Sequence, residues 1–392
     1  MKKQIENSDL RLMVFESAKE LGKKVDENLL DRYGLNKDEY TFIVPIKENF
    51  FEDGHLKVEI NDTVRGKDMY MLTDIGNYSL EYRMHGFINH TSPNDLMTEL
   101  IDGIGACNSH ASKINIIMPL LYAGRQHRRN TRESLACGMN LHELDNLSRV
   151  NSLITFDAHD QGVEHAVHNM EFNNFLPSNV ICEALINDLE IEDLKNLVFV
   201  APDNGATGRR NVYLNSFNSR CINREAGSFI KQRDYNNLVD GKYPITSHDY
   251  CGNPNLEGIT AIVTDDMISS GGSIFDVIDE LHKRRVNKIF VLVTYTLFTR
   301  GIEKFQEYYQ AGKLSGVYTT NLSYIPDDYA TCEWLHICDC SHLVAEVIYN
   351  IHNNLSISEL IKDKSSPARL LEEKFANSAK LTRKRWKNLT YL

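Results

Sequence analysis

Two α/β units built on mostly parallel sheets, with helical extensions at both ends, are what this 392-residue chain predicts. Three observations predict it. Strand-sized apolar runs such as Ile114-Asn-Ile-Ile-Met-Pro-Leu, Asn196-Leu-Val-Phe-Val and Ile289-Phe-Val-Leu-Val alternate with amphipathic segments, the pattern of repeated strand–helix units. Several of these runs lead straight into carboxylates, small residues and cations, as happens at the carboxyl ends of parallel strands. The length is also sufficient for two domains of ordinary size plus extensions.

In chain order, residues 1–40 place Leu10, Leu12, Met13, Phe15, Leu21, Val25, Leu29 and Leu30 at helical spacing, which predicts a helical N-terminal extension. Residues 41–170 form a first α/β unit, with strands expected at Thr41-Phe-Ile-Val-Pro and at Ile114. Residues 171–352 form a second, with strands expected around residues 196–200, 259–263 and 289–293. Residues 353–392 set Lys380, Arg383, Lys384, Arg385 and Lys387 around Trp386 and read as a basic, solvated extension, or as an attachment to an acidic surface.

Composition excludes several classes of function. The chain has 43 Lys and Arg against 54 Asp and Glu, a net charge of −11, which argues against a nucleic-acid-binding surface. Its longest apolar runs are too short to span a bilayer, and the N-terminal residues lack the apolar core of a signal peptide, so a cytoplasmic protein without membrane attachment is expected. The eight cysteines include no Cys-x-x-Cys pair. Cys338 and Cys340 read as a reduced pair on one face of a strand.

The chemistry concentrates in a few clusters. The run Ile262-Val-Thr-Asp265-Asp266-Met-Ile-Ser269-Ser270-Gly271-Gly272-Ser273 joins a β-branched strand, two carboxylates, a Ser/Gly turn and a helix carried by Ile274, Val277, Ile278 and Leu281. Backbone N–H groups at such a helix start suit a phosphate, and adjacent carboxylates suit ribose hydroxyls or a hydrated metal ion. A Ser-Ser-Gly-Gly turn alone is a common connector. The Asp-Asp pair shifts the balance, because two neighbouring carboxylates at the mouth of an apolar strand repel each other without a ligand. The segment Tyr122-Ala-Gly-Arg125-Gln126-His127-Arg128-Arg129 gathers mutually repulsive cations that a triphosphate would neutralise, and a solvated loop is the alternative. In Ile154-Thr-Phe-Asp157-Ala-His159-Asp160, strand alternation would put Asp157 and His159 on one side, so that a carboxylate orients the histidine. Val198-Phe-Val-Ala-Pro-Asp203-Asn-Gly-Ala-Thr-Gly-Arg209-Arg210 again runs a strand into a carboxylate and cations, as a Mg²⁺–phosphate site requires. Lys231 and Arg233 in Phe229-Ile-Lys-Gln-Arg precede about thirty residues rich in Asp, Asn, Gly, Tyr and Pro that read as a mobile loop.

The first of these clusters resembles the phosphoribosyl-diphosphate-binding motif shared by type I phosphoribosyltransferases and ribose-phosphate pyrophosphokinases. Taken in order, the clusters resemble the ribose-phosphate pyrophosphokinase family over roughly residues 41–352. The resemblance implies two tandem type I phosphoribosyltransferase-like domains, transfer of the diphosphoryl group of ATP to ribose 5-phosphate, Mg²⁺ as cofactor and a homo-oligomer, dimer-based and often hexameric. It implies that Phe51 and Asp53 contact adenine in the loop Phe51-Glu-Asp53-Gly-His55, ahead of Val64-Arg65-Gly66. It further implies that Arg125 and Gln126 bind ATP, that His159 and Asp203 hold Mg²⁺–ATP, and that Lys231 and Arg233 are catalytic. Asp265, Asp266, Ser269, Ser270, Gly271, Gly272 and Ser273 take ribose 5-phosphate. His55 and His127 stand where the family has acidic residues, and Ser269 stands for an Asp, which leaves the nucleotide donor open. A phosphoribosyltransferase, a diphosphokinase acting on a larger ribose-5-phosphate derivative and a non-catalytic regulatory homologue are the competing readings.

Overall fold

The computed structural model describes residues 2–5, 8–107, 110–129, 131–233, 245–358, 360 and 365–389, without the side chains of 231–233, 245–248, 365–366 and 381–389. The chain divides into two compact units. The first comprises residues 1–177, 321–325 and 339–361, and the second residues 178–320, 326–338 and 362–392.

The first unit contains β1 (Lys3–Gln4), β2 (Leu10–Val14), α1 (Lys19–Arg32), β3 (Tyr40–Thr41), β4 (Ile46–Phe50), β5 (Leu56–Ile60), β6 (Asp68–Leu72), β7 (Glu81–Met84), β8 (Phe87–His90), α2 (Pro93–Cys107), β9 (Lys113–Ile117), α3 (Ala136–Asp145), β10 (Val150–Phe156) and β11 (Glu171–Phe175). Five strands form one sheet in the order β11-β10-β9-β6-β2, and every pairing in it is parallel. Parallel strands buried on both faces are apolar almost throughout, as in β9, where Ile114, Ile116 and Ile117 are fully buried. Leu96, Met97, Leu100 and Ile104 repeat at helical spacing along α2 and close part of the core with Met69, Met71 and Leu153.

The N-terminal reading is corrected here. A helix does span Lys19–Arg32, but residues 10–14 form a strand paired with β6, so the first forty residues belong to the sheet domain rather than extending from it. The misreading has a physical cause. Leu10, Leu12 and Met13 are each buried, and a strand covered on both faces loses the alternation that separates it from one turn of helix. The expected strand at residues 41–45 shrinks to the two-residue β3 and a bridge from Leu12 to Ile43.

The second unit contains α4 (Ser178–Asp188), α5 (Ile191–Lys195), β12 (Asn196–Ala201), α6 (Thr207–Ser216), β13 (Asn223–Arg233), β14 (Ile245–Cys251), β15 (Thr260–Ile268), α7 (Gly272–Lys283), β16 (Lys288–Thr296), α8 (Glu303–Gln310), β17 (Gly316–Thr320) and β18 (Leu335–Cys338). Its seven strands run in the order β14-β13-β12-β15-β16-β17-β18. All are parallel except the β13–β14 pair. β14 therefore occupies part of the expected mobile loop, while residues 234–244 of that loop lie outside the described residues.

Helix α9 (Ser341–His352) packs in the first unit, where Arg32 lies 4.7 Å over the ring of Tyr349. The boundaries thus differ from the expected ones, since β11 and residues 339–361 both join the first unit. Strand β18 ends at Cys338 and Cys340 precedes α9, so the two cysteines do not share a strand face, and the eight cysteines form no disulfide with one another. The basic C-terminal segment forms α10 (Ser365–Leu389). Lys374 Nζ donates to the carbonyls of Ile186 and Asn187 at 2.6 and 3.0 Å, a cation on the terminal carbonyls of α4, and Leu371 is fully buried. This part of the segment is anchored, whereas the side chains of Lys384, Arg385, Trp386 and Lys387 fall outside the described residues. Among the described residues no helix is long and apolar enough to cross a membrane.

Candidate active site

In the second unit β15 carries the densest chemistry. Ala261, Ile262, Val263 and Thr264 are fully buried, and pairing with β16 continues past the carboxylates to Ile268. Asp265 and Asp266 thus sit on the last part of a central strand rather than on a loose turn. The Asp266 N–H donates to Asp265 Oδ1 at 3.0 Å and the Met267 N–H to Asp266 Oδ1 at 2.9 Å, which fixes both carboxylates against the backbone.

The turn that follows needs glycine for two reasons. Gly271 has φ 80°, and a Cβ there would lie 2.8 Å from ring carbons of both Phe275 and Phe305. The twelve-residue helix α7 starts at Gly272 without a side-chain cap, so its first backbone N–H groups lie beside the exposed Ser270, Gly272 and Ser273. The Ser269 carbonyl is engaged by the Thr299 N–H at 3.0 Å.

The electrostatics of this strand end are unbalanced. Asp265 is pushed up to about 8, first by burial and then by the charge of Asp266, with Asp203 adding to the shift and Arg209 opposing it. Arg209 Nη1 stands 3.8 Å from Asp265 Oδ1, and its side chain is largely buried. Three carboxylates facing one guanidinium retain a proton at neutral pH unless a cation or hydroxyl-rich ligand arrives. Asp203 follows β12, and its Oδ1 accepts the N–H groups of Gly205 and Ala206 at 2.9 and 3.3 Å at the start of α6. The two cations behind it separate in role. Arg209 serves the carboxylates, while the buried Arg210 donates to the Gly227 carbonyl at 2.8 Å and ties α6 to β13.

Lys231 and Arg233 lie at the end of β13, opposite His248 and Ile245 of β14, with a register shift between Gln232 and Arg233. Their side chains are outside the described residues.

The first unit holds the other predicted positions. Phe51 and Asp53 lie in the turn of the β4–β5 hairpin, where Phe51 is half exposed. Asp53 accepts the His55 N–H at 3.1 Å and lies 3.2 Å from His55 Nδ1; these hydrogen bonds hold its carboxyl below the usual range. His55, the departure noted from sequence, thus pairs with the aspartate beside it. The hairpin leans on its neighbour. The Phe50 and Tyr82 rings stack at 4.2 Å, and the His85 N–H donates to the Glu52 carbonyl at 2.8 Å.

Arg125 and Gln126 are exposed on the loop after β9, next to Ala123 in the left-handed region at φ 53°. His159 is exposed after β10, and its ring is 5.3 Å from that of His127. β10 ends at Phe156, and Asp157 is buried in the left-handed region at φ 48°, so regular strand alternation stops short of His159.

Asp160, which sequence reading left without a role, collects the charges of this region. It accepts Arg128 Nη2 at 2.9 Å and the Gly162 N–H at 2.8 Å and lies 3.3 Å from His127 Nε2. The Gly162 N–H, then Arg128 and His127, hold its carboxyl below the usual range. Among the described residues no three His, Cys, Asp or Glu side chains gather as a metal cage. The carboxylates at the strand ends, Asp203, Asp265 and Asp266, are hard oxygen donors of the kind Mg²⁺ takes, and that ion binds through one or two carboxylates plus substrate phosphates.

Residues 10–147 match the family described as the N-terminal domain of ribose phosphate pyrophosphokinase, and residues 236–362 match the phosphoribosyl synthetase-associated domain. The chain belongs to the ribose-phosphate pyrophosphokinase family. A ribose-phosphate pyrophosphokinase of Synechococcus elongatus is 24% identical over 321 residues, 81% of this chain and 86% of its own. That of Prochlorococcus marinus is 24% identical over 358 residues, 91% and 95% of the two chains. The crystal structure of phosphoribosylpyrophosphate synthetase from Mycobacterium smegmatis superposes with a TM-score of 0.69 at 18% identity, covering 88% of this chain and 99% of that one. The pyrophosphokinase fold accounts for both parallel sheets as two tandem type I phosphoribosyltransferase-like domains. Asp160 is the residue that sequence reasoning left without a role, because its side-chain partners lie more than thirty residues away; Arg209, six residues after Asp203, was read only as one of two cations.

Proposed function

We propose that the chain is a ribose-phosphate diphosphokinase, transferring the β,γ-diphosphoryl group of ATP to the C1 hydroxyl of ribose 5-phosphate and releasing AMP. The observation that carries this reading is the end of β15. Two constrained carboxylates, with Asp203 and Arg209 against them, lead through a glycine turn into an uncapped helix start. Asp265 and Asp266 take the vicinal ribose hydroxyls, and the backbone of residues 269–273 holds the 5′-phosphate. On the nucleotide side Phe51 and Asp53 flank adenine, Arg125 and Gln126 meet the phosphates, and His159 and Asp203 hold Mg²⁺–ATP. Mg²⁺ supplies charge neutralisation and template for the polyphosphate when bound.

The C1 oxygen bonds to the β-phosphorus as the bridge to the α-phosphate breaks, AMP leaves, and the hydroxyl proton is released. Such a transfer depends on positioning and charge stabilisation, which assigns Lys231 and Arg233 to the transferred group as charge moves to the leaving AMP. A cytoplasmic homo-oligomer completes the reading, with the order of assembly drawn from the family alone.

Mass spectrometry of the products formed from Mg²⁺, ATP and a panel of ribose phosphates tests donor, acceptor and group together. Equimolar AMP and phosphoribosyl diphosphate are expected. Formation of ADP, or diphosphorylation only of a larger ribose-5-phosphate derivative, overturns the assignment.

A further inference from the structure

The loop after β9 and the turn after β10 are joined through one carboxylate to which the diphosphokinase reading gives no part. Asp160 Oδ2 meets both Arg128 and His127, and Oδ1 caps the short helical turn Gln161–Ala166 through the Gly162 N–H. His127 is largely enclosed, with 14% of its side chain exposed. Its Nδ1 donates to the Gly124 carbonyl at 3.2 Å while Nε2 faces Asp160, so the ring spans from the base of the Arg125–Gln126 loop to the segment that carries His159. The His159 ring lies on the same imidazole at 5.3 Å.

We propose that Asp160 and His127 are positioning residues for the nucleotide, a charged buttress that holds Arg125, Gln126 and His159 in one arrangement before ATP arrives. The inference rests on the diphosphokinase reading, because that reading makes those three residues the nucleotide contacts. The physical case is one of repulsion. Arg125, His127, Arg128 and Arg129 fall within five residues, and Arg125 and Gln126 are exposed at a left-handed turn with little packing to hold them. A cationic loop of this kind splays unless a counter-charge is built in, and Asp160 supplies that charge from the adjoining segment. A loop ordered in advance does not lose that ordering free energy from ATP binding, and misplacement by about 1 Å can cost on the order of 10²-fold.

A bland role is available, in which Asp160 only caps its helical turn. The two differ in what a neutral replacement does. Asp160→Asn keeps an acceptor for Gly162 and removes the charge facing His127 and Arg128. On the buttress reading it raises the KM for ATP, and the calorimetric Kd for Mg²⁺–ATP, about tenfold, a change of about 1.4 kcal/mol. The KM for ribose 5-phosphate stays within about twofold, and His127→Ala in the Asp160→Asn background adds little, as expected for two members of one unit.

An Asp160→Asn enzyme with wild-type affinity for ATP, or one weakened equally for both substrates, overturns the proposal. Should that variant fail to fold, Arg128→Ala decides instead. Arg128 is three-quarters exposed, and its loss should weaken Mg²⁺–ATP about threefold, unchanged affinity overturning the buttress. A wild-type chain that binds Mg²⁺–ATP and forms no AMP sinks the diphosphokinase reading, while the comparison of Kd values still judges Asp160. A wild-type chain that binds no Mg²⁺–ATP sinks both.

Discussion

Each unit pairs a buried carboxyl group with a half-buried one, and the two pairs are resolved in opposite ways. In the first unit Glu48 of β4 and Glu99 of α2 hydrogen-bond to each other, and the Glu16 N–H donates to both oxygens of Glu48 at 3.0 and 3.2 Å. Burial drives both carboxyls up, Glu99 to about 9, with Lys19 as a nearby cation and Asp95 and Asp102 adding repulsion. This pair closes on itself around a proton. In the second unit Asp265 and Asp266 each accept a backbone N–H, from Asp266 and Met267, at a strand end that leads into a helix start. The first pair is a joint between a hairpin and a helix. The second leaves its charge unbalanced beside an uncapped helix start, and burial alone does not tell the two apart.

The sharpest way to test that contrast is at the cations assigned to the transferred group. Lys231→Ala should lower turnover by roughly 10² to 10³, on the order of 3 to 4 kcal/mol in the barrier, by analogy with a lost preorganised donor. Circular dichroism and the melting temperature should hardly change. Turnover near wild type would remove Lys231 from the mechanism and leave the carboxylates of β15 without a catalytic partner.

How much of this could be read from the residues themselves depends on distance along the chain. The strand, glycine turn and helix around residues 265–273 were legible because they are contiguous, and each leaves its own pattern: β-branched Ile262 and Val263, Gly271 at positive φ, and Ile274, Val277 and Ile278 at helical spacing. What depended on tertiary pairing was not. Asp160 meets residues 127 and 128 only after two strands align, and Asp157 leaves strand geometry at a φ that no alternation rule anticipates. β14 escaped notice because an edge strand antiparallel to β13 tolerates the Asp249 and Tyr250 that read as loop.

Next in size is the glycine that shapes the turn after β15. Gly271→Ala places a methyl 2.8 Å from Phe275 and Phe305 at φ 80°, so strain and overpacking add to about 2–4 kcal/mol of lost stability. The affinity for ribose 5-phosphate should fall with it while that for ATP is kept. Denaturant melts together with both KM values check the point. A variant impaired equally for both substrates would mean that the turn supports the whole unit rather than one ligand.

The pH dependence of stability separates the two pairs directly. A carboxyl whose folded pKa is raised binds its proton more tightly in the folded chain. The resulting stabilisation is complete below the unfolded value and is lost as pH rises through the folded one. For Asp265 that window runs from 3.8 to about 8, with a slope no steeper than about 1.4 kcal/mol per pH unit for one proton. Mg²⁺ with ribose 5-phosphate should flatten it, because the ligand then meets the charge that the proton had neutralised. Asp265→Asn should abolish the same component of the slope. Melts at pH 5, 7 and 8 with and without the two ligands read this out, and a ligand-independent slope would place the strand end among purely structural carboxylates.

The smallest expected effect belongs to the closed pair. Glu99 is raised from 4.5 to about 9, so its contribution also declines as pH rises across that interval, and the residue is buried against Glu48. Glu99→Gln keeps a donor to Glu48 without needing a proton from solution. It should therefore stabilise the chain by about 1 kcal/mol at pH 8 and have little or slightly adverse effect at pH 5. Mg²⁺ and ribose 5-phosphate should leave that difference untouched, in contrast to their action on Asp265. If the amide instead destabilised the chain at pH 8, the Glu48 carboxylate would be accepting no hydrogen bond from position 99, and the joint between β4 and α2 would have to rest on the Glu16 N–H and Lys19 alone.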